Sequence, residues 1–520
     1  MKIIIPKIEL YIYFSLWIFA NIYSLYKLIE NQRDIVEKEE KVVFSLSDLQ
    51  QGWSLLSRYK DGSDIEWSSW KYFLQTSWPY LIFQFVISEV IREAYISVLK
   101  YWYILSSIIF VTIYMGYKQL LIIFAQPVIY ALILLFGGKK LSIWITSVIL
   151  LLSYNSLKYK YYFWSFLDHD DMYDEEVYLI LFSVAWIELR CISYSLDYID
   201  SKNARLLKFD DIVKMFSYIL YLPLLYMGPI ILYDEFEKSF TTNREKLKTR
   251  IKRFAIDIVL FQLYTCVLDL SLHYIYFFAM QNNMELIRKL PTVALCGAGL
   301  WMGLEFHMKY VVSYGTTAAF SRLDNMVPPP TPRCIARIHV YSQMWRYFDV
   351  GLYRFLVKYI YKPGYGLLCK CNHLPKVIHK LLASLVTFTF IFVWHGIVWH
   401  ILIWSVINYL GITLEHIGKA ISKQKIYESF KTNILKTKAM EVRFIALLCS
   451  PLLALSAISN FYLFAGSDVG NLFVESFTHP SFVNSFLLIL ALYCCCHVSI
   501  ALEDVPTRNS SLKNNKYVFT

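Results

Sequence analysis

The chain is 520 residues long, 57% hydrophobic and 18% charged, with a formal net charge of +11 and a mean hydropathy of +0.43. Ordinary soluble domains carry about 25% charged residues, so this balance excludes a soluble globular protein, and the lack of ~10-residue alternating segments excludes a membrane barrel. The reading is an all-α polytopic membrane protein, its positive charge marking cytoplasmic loops that face anionic lipid rather than a nucleic-acid surface.

The first apolar run, Leu10–Ile29, has no small-residue cleavage site and reads as a retained signal anchor. From Glu37 to Lys71 a polar stretch carries Trp53, Trp67 and Trp70, a mixture suited to an amphipathic element lying on the membrane. Further apolar runs fall at Trp78–Val90, Tyr101–Tyr117, Gln119–Phe136, Leu141–Tyr154, Val177–Leu196, Ile212–Tyr233, Phe254–Met280, Pro291–Phe320, Leu381–Leu414, Phe444–Phe464 and Phe482–Ala501. Roughly 20 apolar residues cross a bilayer, so these runs predict about ten spans. Trp78–Val90 and Leu141–Tyr154 are short enough to be re-entrant or interfacial. Arg244–Arg253 holds six positive charges and one negative, which places it in the cytosol by the positive-inside rule. A basic patch there can also meet the phosphates of an anionic donor. No internal repeat stands out, which counts against a transporter built from inverted halves.

Pro328-Pro329-Pro330-Thr331-Pro332 interrupts helix. Beyond it, Ile335–Tyr361 mixes apolar, aromatic and basic residues without a continuous apolar span. Irregular backbone at membrane depth is tolerated only when protein or a water-filled cavity surrounds it, so this segment reads as the wall of a site. On a helix, Trp345, Asp349 and Tyr353 share a face at i, i+4, and Arg346 can pair with Asp349 at i, i+3. A local Arg–Asp salt bridge accounts for those residues equally well.

Leu381–Leu414 is long enough for one span and part of another, broken near Gly396. Inside it lies Trp394-His395-Gly396. Strongly charged side chains at membrane depth cost about 2.5 kcal/mol or more. Histidine lowers that cost by staying neutral, still needs a partner, and exchanges a proton near neutral pH. A neutral core histidine bonded to a carbonyl is the plain alternative. The neighbours Trp394, Gly396 and Trp399, with Asn408 as a further polar lining group, favour a site. A neutral histidine can take a proton from an attacking amine or hydroxyl, contributing roughly 10²–10⁴-fold as general base. A nearby aspartate can orient the nucleophile. No Gly-x-Ser-x-Gly elbow, P-loop or Rossmann fingerprint is present, so direct transfer in a ternary complex fits better than an acyl-enzyme. His400 and His416 read as interfacial.

The ten cysteines form no secreted disulfide pattern. Cys494-Cys495-Cys496 reads as small buried hydrophobes, with S-acylation the less favoured reading. Cys369-Lys370-Cys371-Asn372-His373 has loose metal-ligand character without a second ligand pair.

The stretch Pro332-Arg333-Cys334 through Met344-Trp345-Arg346-Tyr347-Phe348-Asp349-Val350-Gly351-Leu352, followed by Phe392-Val393-Trp394-His395-Gly396, resembles the membrane-bound O-acyltransferase superfamily, and within it the Hedgehog acyltransferase branch. Other similar pieces are Gln51-Gly52-Trp53, Tyr221-Leu222-Pro223 with Gly228-Pro229-Ile230, Trp404 with Asn408, and Ser459-Asn460 followed by Gly466. The acid position discriminates: many O-acylating relatives pair Asn with His, the Hedgehog branch pairs Asp with His, and a non-catalytic branch lacks the His. This chain has Asp349 and His395.

The resemblance implies a single membrane-embedded acyltransferase domain over residues 1–520, with an anchor and amphipathic segment at 1–75, a catalytic core at 328–470 and a polar tail at 503–520. It implies palmitoyl-CoA as acyl donor and, as acceptor, the N-terminal Cys amine of a Hedgehog-type secreted protein, in the endoplasmic reticulum or Golgi. His395 matches the family's base and Asp349 the residue that orients the acceptor. Trp345, Arg346 and Asn460 match groups lining the reaction chamber, and Cys334 matches a haem-iron ligand, a role open to a thiolate. Attack by the amine, or by the thiol followed by a sulphur-to-nitrogen shift, both remain open. So do a Ser hydroxyl of another secreted protein or a lysophospholipid as acceptor, and a non-catalytic lipid-binding regulator or transporter.

Overall fold

The computed structural model describes residues 5–38, 48–159, 174–202, 207–241, 244–334, 338–371, 374–478 and 482–503. Among these, nine helices are long and apolar enough to cross a membrane: Lys7–Arg33, Ile96–Met115, Tyr117–Leu135, Asp174–Ser201, Leu247–Leu272, Lys376–His395, Trp399–Ile421, Lys438–Thr478 and Val483–Leu502. The protein is an all-α polytopic integral membrane protein. The run at Pro291–Phe320 forms the 32-residue helix Thr292–Leu323, which buries Glu305 and Lys309 along with its apolar residues. Those polar groups, rather than its length, set it apart from the nine.

The two short runs belong to longer helices. Trp78–Val90 is the second half of Ile65–Ala94, which starts at Asp64 because that carboxylate accepts the Glu66 and Trp67 backbone N–H groups at 3.0 and 3.1 Å. Leu141–Tyr154 lies in Lys140–Tyr159. The polar stretch before them is tied to neighbouring helices. Leu49–Gln51 pairs antiparallel with Tyr59–Asp61, Leu49 opposite Asp61. Asp269 gathers Lys60, Lys71 and the Trp67 indole N–H at 3.0, 3.3 and 2.9 Å. The Trp53 backbone N–H donates to His273 at 2.9 Å. Charge pairing thus draws this segment onto the bundle. Residues 39–47 lie outside the described residues, as do His373 and residues 504–520.

Ile212–Tyr233 is not a span. A helix at Phe209–Ile219 and a tight turn at Leu222–Leu224 are followed by irregular backbone, nearly all of it buried. The freed backbone groups are bonded by side chains, as membrane depth requires. Trp186 Nε1 donates to the Gly228 carbonyl at 2.7 Å, the Tyr218 hydroxyl to Ile231 at 2.6 Å, and Arg190 to Ile219 at 2.9 Å.

Half of the basic residues in Arg244–Arg253 pair with acids of the protein itself, while Lys246, Lys248 and Lys252 are exposed. Arg250 is buried and bidentate on Glu89, at 3.0 and 2.6 Å, and Arg244 pairs with Glu89 and Glu93. Arg253 approaches Glu245 at 3.5 Å. Arg92, on Glu89 as well, reaches Asp324 at 2.8 Å. Cys494, Cys495 and Cys496 are all buried, and Cys369 Sγ lies 3.5 Å from His379 Nδ1.

Candidate active site

Helix Lys376–His395 stops at His395 because Gly396 takes φ +132°, a conformation open to glycine. The Gly396 N–H turns back to Phe392 at 3.1 Å, and helix Trp399–Ile421 begins after Val398. The half-buried His395 faces a cavity of about 450 Å³. Its ring stands edge-on to Trp394 (4.8 Å, 73°) and Trp404 (4.9 Å, 82°). The Trp394 indole is tied to the Ala185 carbonyl at 3.1 Å.

A second part of the lining is also a broken helix. Tyr341–Tyr347 ends, and Asp349 caps the next short helix, Val350–Phe355. Asp349 Oδ1 accepts the Leu352 N–H at 2.8 Å, and Oδ2 accepts the Tyr314 hydroxyl at 3.0 Å. Gly351 permits this placement by lying against the buried irregular segment, where a Cβ would stand 2.2 Å from the Ile230 carbonyl oxygen.

The sequence reading put Trp345, Asp349 and Tyr353 on one helical face. The helix is broken at Asp349, yet all three line the cavity. The expected Arg346–Asp349 pair does not form among the described residues, because both Asp349 oxygens are turned to Leu352 and Tyr314. Arg346 lies beside Tyr353 and Tyr347, outside the cavity lining. Asn408 does not line the cavity either. It is fully buried behind it, accepting the Trp345 indole N–H at 3.1 Å and donating to the Trp404 carbonyl and Ser459 hydroxyl at 2.8 and 3.3 Å. Asn460 lines the cavity and accepts from the Trp404 indole at 3.3 Å.

Sequence reasoning missed Asn155, Tyr178, Tyr310 and Tyr314, which also line the cavity. The one available signal was Phe306, Tyr310 and Tyr314 recurring at i, i+4. The lining is mostly aromatic and aliphatic around a few polar groups, and the volume suits a sizeable ligand, for which pockets span roughly 300–1,000 Å³. A second apolar cavity, of about 520 Å³, shares Met344, Asn460 and Phe464 with the first.

Cys334 is a half-buried free thiol close to Cys495. It lines neither cavity, and no trio of metal-ligating side chains gathers among the described residues. Among the described residues, one free thiol outside both cavity linings gives no support for a haem there.

The chain is similar to the protein-cysteine N-palmitoyltransferase Rasp of Drosophila melanogaster, 29% identical over 508 residues that cover 96% of this chain and 97% of the relative. It is also similar to the Mus musculus protein-cysteine N-palmitoyltransferase HHAT, 28% identical over 295 residues covering 56% and 58%. A third relative is the Mus musculus HHAT-like protein, 24% identical over 417 residues covering 80% and 79%. Residues 132–458 match the family model for membrane-bound O-acyltransferases. With that match spanning more than half of its length, and a largely apolar cavity lined by a histidine and an aspartate at two helix breaks, the chain belongs to the membrane-bound O-acyltransferase family.

Proposed function

We propose that the protein is an acyl-CoA-dependent protein-cysteine N-palmitoyltransferase that moves palmitate from palmitoyl-CoA to the N-terminal Cys amine of a Hedgehog-type secreted protein, in the endoplasmic reticulum or Golgi. The observation that carries this reading is His395 and Asp349 facing one largely apolar cavity, in a chain similar over nearly its full length to a protein-cysteine N-palmitoyltransferase. The amine nitrogen attacks the thioester carbonyl, His395 takes the proton the amine gives up, and the carbon–sulphur bond breaks. The coenzyme A thiolate leaves and is protonated, so the products are an amide and a free thiol. Asp349, fixed by Tyr314 and Leu352, orients the acceptor. Trp345 and Asn460 shape the wall beside it, and Arg346 and Asn408 support that wall from behind. Holding the two reactants in place supplies much of the rate, and the apolar surroundings strengthen charge–dipole terms.

The test uses purified protein, labelled palmitoyl-CoA, and two peptides, one with a free N-terminal Cys and one N-acetylated. Hydroxylamine-resistant label on the free peptide alone, lost in His395→Ala, is the expected result. Transfer by His395→Ala at the wild-type rate removes His395 as the base. Equal labelling of both peptides removes the amine as acceptor.

A further inference from the structure

We propose that Asn155 is a positioning residue for His395, holding open the helix break on which the histidine sits; this rests on the reading of His395 as the base. Asn155 lies towards the end of helix Lys140–Tyr159 and is 238 residues from the break in sequence. Its Nδ2 donates to the Val393 carbonyl at 3.0 Å, and its Oδ1 accepts the Ile397 N–H at 3.0 Å. The remaining Nδ2 hydrogen goes to Leu151 at 2.8 Å.

Val393 C=O and Ile397 N–H are an i, i+4 pair. In a continuous helix they would bond to each other. The Asn155 amide stands between them, donating to one and accepting from the other, a known way for a side chain to break a helical ladder. His395 is the middle residue of the interrupted turn. The amide orientation follows from its partners, because a flipped group would set NH₂ against an N–H and oxygen against two carbonyls. Both amide hydrogens are engaged, so Asn155 has no donor left for a substrate although it lines the cavity. Its work is therefore on the backbone around His395. Without the amide, the Val393 and Ile397 groups either lose their partners or reclaim each other, and either course moves His395.

The experiment compares wild type, Asn155→Leu, Asn155→Asp and His395→Ala as full chains in detergent. Leu removes both bonds across the break. Asp keeps an acceptor for Ile397 and loses the donor to Val393. Since a displacement near 1 Å can cost about 100-fold in rate, kcat is expected to fall at least about tenfold in Asn155→Leu and less in Asn155→Asp. KM for donor and acceptor should stay within about twofold, and the protein should still fold, its thermal midpoint lowered only as the loss of these bonds requires. Combining Asn155→Leu with His395→Ala should lower the residual rate no further than His395→Ala alone, as for residues acting as a unit. Wild-type kcat in Asn155→Leu overturns the proposal, as does a rise in KM with kcat intact. If Asn155→Leu fails to accumulate, wild-type kcat in Asn155→Asp overturns it instead. Full activity of His395→Ala sinks the base reading itself, whereas a silent His395→Ala beside a fully active Asn155→Leu sinks the positioning role alone.

Discussion

Gly351→Ala tests whether the placement of Asp349 sets the rate. A Cβ on Gly351 would stand 2.2 Å from the Ile230 carbonyl oxygen and 2.9 Å from its nitrogen, whereas non-bonded carbon contacts settle near 3.5 Å. The Ile230 side has little freedom to give way. Ile230 and Ile231 are buried, the Tyr218 hydroxyl holds the Ile231 carbonyl at 2.6 Å, and the Trp186 indole holds Gly228 at 2.7 Å. The short helix Val350–Phe355 must therefore retreat, by about 1 Å from the difference between those distances. Asp349 caps that helix through the Leu352 N–H and moves with it. Overpacking of this kind costs about 1–3 kcal/mol of stability, and a 1 Å misplacement about 100-fold in rate. The assay is kcat for palmitate transfer, read beside the thermal midpoint of the detergent-solubilised protein. Loss of about two orders of magnitude in kcat by a protein that still folds is expected. Gly364→Ala is the control, since nothing lies within 4 Å of a Cβ there, and it should keep the wild-type rate. A Gly351→Ala variant with wild-type kcat refutes the reasoning.

Tyr314→Phe removes the hydroxyl donated to Asp349 Oδ2 at 3.0 Å. Hydrogen bonds to charged groups contribute about 1.5–3 kcal/mol, so kcat/KM should fall roughly 10- to 100-fold, and an unchanged value would mean that Leu352 alone fixes the carboxylate. Asn408→Leu leaves the Trp345 indole N–H, bonded at 3.1 Å, without its acceptor. An unpaired buried donor costs about 1–3 kcal/mol, so the thermal midpoint should drop and acceptor KM rise, and no change in either would count against Asn408 as the support of Trp345. Glu89→Ala strips the shared carboxylate from Arg92, Arg244 and Arg250. Breaking a buried pair costs about 3–5 kcal/mol, so the yield of detergent-stable protein should fall sharply, and normal accumulation would show the cluster to be dispensable.

His395 was legible in the sequence because an ionisable residue beside glycine stands out within an apolar run. Asp349 was legible because it follows a proline-broken stretch with no continuous span. Their setting was not legible. Spacing rules assume an unbroken helix, and at Asp349 the helix ends, so Arg346 meets Tyr353 and Tyr347 rather than the acid it was expected to pair with. Asn408 read as lining because a buried amide within a span needs a partner. It has partners, but they are Trp345, Trp404 and Ser459 rather than a ligand. Ile212–Tyr233 read as a span because its composition is apolar. What makes it irregular is the set of bonds from Trp186, Arg190 and Tyr218, which composition does not encode. Arg244 and Arg250 read only as part of a basic loop because their shared partner Glu89 lies on a helix 155 residues away from Arg244.

His395 and Asp349, the two side chains proposed to carry the reaction, both come from helix ends. Within an unbroken helix the backbone is bonded to itself, and a polar side chain there must find its partner on another helix. At a helix end the backbone itself offers partners, and Asp349 takes one of them in the Leu352 N–H. The same break frees backbone groups that an apolar surrounding cannot solvate, and Asn155 meets two of them, Val393 and Ile397, while Tyr314 steadies the Asp349 carboxylate itself. These escorts line the cavity too, but the amide hydrogens of Asn155 and the hydroxyl hydrogen of Tyr314 are engaged within the protein rather than offered to a substrate. A substitution at Asn155 or Tyr314 should therefore lower the rate while leaving substrate affinity nearly unchanged.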